Sequence, residues 1–156
     1  MTATSGTPEW IEDRIRATGL AVVGVSNAVP CADCGEVHDD SDPDAFVYTV
    51  GRAARGLPEF LTLLIIPQEI QQVADLFNFL DHQDRQGQPV RANQRIQTGD
   101  PDAGTAVYWI TIDPDPDDTR ELNADYTIAA HNRNDGDVAL LLVEREERIA
   151  ADVTLN

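Results

Sequence analysis

The chain predicts an α+β domain: an antiparallel or mixed β-sheet with two or three helices packed on it. Three observations lead there. Three strand-like segments follow one another before any long helix, so helices and strands do not alternate as in a doubly wound sheet. One long segment then carries a helical period, and two further apolar strands come after it. At 156 residues the chain is the size of one ordinary domain and can bury a core without disulfides. Residues 1–150 are read as that domain, with 28–45 a polar loop inserted in it and 151–156 a tail.

The first element is a helix in "TPEWIEDRIRATG". Thr7 can cap it, Pro8 suits its first position, Glu9 and Glu12 favour its positive end, and Gly19 can terminate it. Trp10, Ile11 and Ile15 are expected on its inward stripe. "LAVVGVSN", Leu20 to Asn27, "AFVYTVG", Ala45 to Gly51, and "EFLTLLII", Glu59 to Ile66, read as strands. "RAARGLP" connects the last two. After Pro67, Ile70, Val73, Ala74, Phe77 and Leu80 repeat at the spacing of an amphipathic helix, and Gly87 stops it. "NQRIQTG", "TAVYWITI" (Thr105 to Ile112) and "DVALLLVERE" (Asp137 to Glu146) supply the later strands. "DPDPDD", Asp113 to Asp118, is expected to be a loop, its two prolines excluding helix and central strand. "TRELNADYTIAAHNR" is ambiguous, with a short helix placing Leu122, Tyr126 and Ala129 inward as one reading. Because helices and strands do not alternate strictly, the expectation is that the helices pack on one face of the sheet.

The central run, Phe46 to Leu80, resembles the bacterial and phage family called domain of unknown function 4262. Tyr48, Thr49, Val50 and Gly51 match its Tyr-Thr-Val-Gly, and Gly56, Pro58 and Glu59 its Gly-x-Pro-Glu. Arg52 departs from the leucine usual there. The resemblance implies no activity, but it marks Tyr48, Thr49, Gly51 and Glu59 as candidate binding residues. Against that stands an architectural role, because turn and strand-edge residues commonly fix the backbone. Glu59, directly after Pro58, is placed either to hydrogen-bond the turn or to face a groove.

"CADCGEVH" is the cluster with ligand-like chemistry. Cys31 and Cys34, followed by Gly35, have the half-site spacing of a zinc ribbon, and His38 can be a third ligand. A structural zinc wants a fourth. His82, His131, Asp33, Asp39, Asp40 or a second copy of the chain would have to supply it. Zinc is thus the cofactor to test, while a redox pair and an ordinary polar loop remain open. Asp113, Asp115 and Asp117 alternate like a calcium loop, yet Asp118 and Ala124 stand where glycine and glutamate are needed. "HNRNDGD", His131 to Asp137, holds acid–base candidates that a turn also explains. No Gly-x-Ser-x-Gly and no phosphate-cradling glycine loop occurs.

The charge is the strongest compositional signal. Twenty-eight acidic residues against eleven arginines and no lysine give a net charge of −17. Such a field repels nucleic acid and anionic lipid and attracts basic proteins or cations. An acidic solvated surface, as in a high-salt cytoplasm, or the arginine bias of a GC-rich genome accounts for the same numbers. The longest apolar run is too short to span a bilayer, and "MTATSGTPEW" carries no secretory pattern, so a cytoplasmic protein is expected. The leading expectation is a non-enzymatic acidic module, phage-encoded in one version, that binds a basic or host protein. The alternatives are a small zinc protein or metal-assisted hydrolase using Cys31, Cys34 and His38, and a structural subunit of a larger assembly.

Overall fold

The computed structural model describes residues 9–25, 45–132 and 136–147. Helix α1 (Glu9–Thr18) leads into β1 (Ala21–Val25), then β2 (Ala45–Val50) and β3 (Glu59–Ile65). Helix α2 (Ile70–Arg85) follows, then β4 (Arg95–Thr98), β5 (Val107–Ile112), α3 (Pro116–Tyr126), α4 (Ile128–His131) and β6 (Leu140–Arg145). The strands make one mixed sheet in the order β1-β2-β3-β6-β5-β4. β3 and β6 pair in parallel at its centre, with Phe60 opposite Leu141. The other pairings are antiparallel, Val23 lying opposite Tyr48 and Ile96 opposite Trp109. The fold class is the expected one, a single α+β domain around a mixed sheet.

The placement of the helices is not the expected one: they cover both faces. On one face Val47, Phe60, Trp109, Leu141 and Val143 meet Val73, Leu76, Phe77 and Leu80 of α2. On the other, Ala21, Val23, Tyr48, Val50, Leu61 and Leu140 meet Ile11 of α1 and Ile128 and Ala129 of α4. Successive strand residues point to opposite faces, so a central strand covered twice reads as a largely continuous apolar run. β3 and β6, "EFLTLLI" and "LLLVER", are the two central strands and read that way. Phe77 is completely buried, and truncating such a residue to alanine costs about 3–5 kcal/mol.

Two local expectations are corrected. Trp10 is half exposed, so Ile11 alone is buried from α1. The Asp113–Asp118 segment is not all loop, because Pro116 begins α3. The physical reason is that a first-turn N–H has no intrahelical partner, so proline loses nothing there. Asp115 caps the helix, its carboxylate accepting from the Asp118 N–H at 2.8 Å. Thr127, at φ 54°, breaks the helix that follows into α3 and α4. Leu122 and Tyr126 pack on the second core and Ala129 is buried in it, as the ambiguous segment allowed.

Candidate functional site

The loop from β2 to β3 is where Tyr48, Thr49, Gly51 and Glu59 meet. Gly51 has φ 119°, and a Cβ there would lie 2.7 Å from the Gly19 carbonyl oxygen. Only glycine lets β2 turn against the end of α1 in this way. The chain then makes a 3-10 turn, Ala53–Arg55, closed by Gly56 at φ 76°. Glu59, fully buried at the start of β3, organises the turn from below. Its carboxylate accepts from Thr49 Oγ1 at 2.7 Å, Ala53 N at 2.8 Å and Gly51 N at 3.1 Å. Thr49 Oγ1 in turn accepts from Phe60 N at 2.8 Å. Burial pushes the Glu59 carboxyl above its ordinary value, while the Ala53 and Gly51 backbone donors and the Thr49 hydroxyl pull the other way. Thr49 and Glu59 are therefore occupied in holding the backbone, the turn-bonding reading of the sequence.

Arg52 is the residue that sequence reasoning passed over. It is fully buried, with its guanidinium 4.0 Å from the centre of the Phe60 ring. It donates to Asp81 at 2.6 Å, Asp84 at 2.5 Å and the Pro58 carbonyl at 2.7 Å. Asp81 also takes Arg55 at 2.8 Å and Arg85 at 3.0 Å. Arg85 reaches on to the Thr18 carbonyl at the end of α1. One cluster thereby ties the β2–β3 loop and α1 to the last turns of α2. Arg52 was visible in the sequence only as a departure from a family pattern. Its carboxylate partners lie about thirty positions away along the chain, in the last turns of α2, where no feature of the sequence singled them out.

On the opposite face Tyr48 points at α4. Its hydroxyl lies 2.5 Å from His131 Nδ1. Burial raises Tyr48 to about 12 and lowers His131 below its ordinary value. A protonated tyrosine thus faces a neutral imidazole, and the tautomer of the ring sets which of the two donates. Asn132 Oδ1 accepts from Gly51 N at 3.0 Å, and Asn132 Nδ2 donates to the Ile128 carbonyl. Above these residues opens a cleft of about 340 Å3 between α1, the end of β2 and α4. Ile15, Val50 and Ala54 give it an apolar side, and Glu12, Arg16, His131 and Asn132 a polar one. Such a cleft can hold a small amphipathic group by hydrogen bonds. Its described lining has no hydroxyl or thiol side chain to act as a nucleophile. His131 and Asn132 belong to "HNRNDGD", where the sequence showed acid–base residues but not the break at Thr127 that turns them to β2.

The candidate zinc ligands Cys31, Cys34 and His38, with Asp33, Asp39 and Asp40, lie outside the described residues. Among the described residues no three His, Cys, Asp or Glu side chains converge as a metal group would need. Asp115, from the calcium-like run, is used as the α3 cap. No described helix is long and apolar enough to cross a membrane. No family model, no curated protein and no solved structure matches the chain.

Proposed function

We propose that the domain is a non-enzymatic, acidic interaction module whose partner is a basic protein segment. The observation that carries this is the outer surface around α3. Asp113, Asp115, Asp117, Asp118, Glu121 and Asp125 are all exposed there, with Arg120 the only cation in that stretch. Arg120 is itself engaged by Asp117 at 3.1 Å and Asp137 at 3.5 Å. Elsewhere Arg52, Arg55 and Arg85 are spent on Asp81 and Asp84, and Arg95 on Glu146. The negative excess is thus left on the surface, where it steers a cationic partner and raises its rate of encounter. Membership of the domain of unknown function 4262 family is part of the proposal and rests on the Tyr48–Gly51 and Gly56–Glu59 runs.

The test is a pull-down with the intact protein beside a variant carrying Asp117→Asn, Asp118→Asn, Glu121→Gln and Asp125→Asn. The expected result is capture of a protein with an arginine- or lysine-rich segment, released by salt and lost by the variant. Recovery of nothing, or binding indifferent to salt and to the variant, overturns the reading.

A further inference from the structure

Glu59 is a buried carboxyl whose hydrogen-bond partners among the described residues are all uncharged. Its Oε1 accepts from Thr49 Oγ1 at 2.7 Å, and its Oε2 from Ala53 N at 2.8 Å and Gly51 N at 3.1 Å. The charged and titratable groups on the elements around it are engaged elsewhere. Arg52 and Arg55 of the turn pair with Asp81 and Asp84 of α2, and Asp137 before β6 pairs with Arg120 of α3. Tyr48 of β2 faces His131 of α4, and Glu12 and Arg16 of α1 line the cleft. Burial is the larger influence on Glu59 and holds its carboxyl above the ordinary 4.5, against the pull of its donors. The Gly51 N–H has a second acceptor, since Asn132 Oδ1 lies 3.0 Å from it. Gly51 and Asn132 both line the cleft between α1, the end of β2 and α4. One N–H thereby joins the buried carboxyl to the cleft wall.

We propose that Glu59 is a proton switch for this cleft: ionised, it shares the Gly51 N–H with Asn132, and protonated, it releases that N–H to Asn132. The proton enters at Oε1, which faces the Thr49 hydroxyl, a rotor able to accept where it now donates. Oε2 is already met by two N–H groups. Once Oε1 carries the proton, Oε2 becomes a neutral carbonyl oxygen, and a charged acceptor binds roughly twice as strongly as a neutral one. Ala53 N keeps the shorter bond to Oε2, whereas Gly51 N has Asn132 to turn to. Asn132 is fastened to α4 through the Ile128 carbonyl, so the exchange draws the end of α4 toward β2 and reshapes the cleft as the solution turns acidic. The switch is independent of the basic-partner reading.

The test is an acid titration of the intact protein by NMR. It follows the Glu59 carboxyl carbon, the Gly51 N–H, the Asn132 side-chain amide and the His131 ring. The Glu59 midpoint is expected above 4.5, with the Gly51 and Asn132 signals moving at the same midpoint. Glu59→Gln presents a carbonyl to Gly51 and Ala53 and an N–H to Thr49, so it should hold both signals near their acid positions and remove the step. His131→Gln, the second variant, should keep the step. A Glu59 midpoint at or below 4.5, or a Glu59 step that Gly51 and Asn132 do not share, overturns the proposal. A step that persists in Glu59→Gln, or is lost in His131→Gln, belongs to the neighbouring imidazole and overturns it as well. If Glu59→Gln does not fold, the parent titration and His131→Gln decide between the two groups.

Discussion

Arg52 sits where burial and charge conflict most sharply. A guanidinium removed from water is tolerated because Asp81, Asp84, the Pro58 carbonyl and the Phe60 ring together replace its hydration. Arg52→Leu removes the cation and leaves Asp84 and part of Asp81 buried, though Asp81 keeps Arg55 and Arg85. That change is expected to destabilise the domain by about 3–5 kcal/mol in denaturant unfolding. Replacing Asp84 by leucine as well should return part of the loss, since the stranded carboxylate is then gone. A double variant no more stable than the single one would show that packing, or the Val90 N–H deprived of its Asp84 acceptor, sets the cost in place of the unpaired charge. At this scale the sequence was partly legible. Gly51 and Glu59 were marked by the family resemblance as candidate binding residues, with a turn-fixing role as the other reading, and the runs that carry that resemblance are local. Arg52, His131 and Asn132 were not, because what gives each its role lies far away in the chain.

Among the elements, α3 shows how a local rule was misapplied and how the fold uses it. Two prolines in six residues read as a helix breaker, yet the second occupies the one helical position where its missing N–H is harmless. Asp115 then accepts from the Asp118 N–H, and buried Asn123 donates to the Thr119 and Val138 carbonyls. The helix is thereby fastened at its start and to the approach of β6. Asp115→Ala should lower thermal stability by about 1 kcal/mol, the usual worth of an N-cap, with Asp115→Asn or Asp115→Ser close to the parent. A loss as large for Asp115→Asn as for alanine would point to charge in place of capping. The helix α2 and all six strands were legible from period and β-branched composition. Trp10 was misplaced because a short helix offers two adjacent apolar residues to one narrow contact, and Ile11 takes it.

For the molecule as a whole, the −17 charge acts against compactness, because like charges are closer in the folded state than in the expanded one. Raising ionic strength from about 0.05 M to about 0.5 M shortens the Debye length severalfold. The melting temperature should therefore rise with added sodium chloride. The Arg52–Asp81–Asp84 cluster resists this trend little, since buried pairs are screened far less than exposed ones. A melting temperature that falls with salt would mean that surface ion pairs, such as Arg95–Glu146, outweigh the general repulsion. The same salt series, run on partner binding, should move in the opposite direction, because steering weakens as screening grows.

Composition and periodicity by themselves determined the α+β class, the strands and helix α2, and the acidic field, since each follows from residues adjacent in sequence or one helical turn apart. The continuous apolar runs of β3 and β6 also held the information that both sheet faces are covered, although it was not read that way. Only the tertiary structure decided which helix covers which face, that Arg52 is buried between two aspartates, and that the break at Thr127 brings His131 to Tyr48. Those outcomes depend on contacts between residues tens of positions apart. Such contacts form only when the sheet has assembled in the order β1-β2-β3-β6-β5-β4, with its one parallel pairing at the centre.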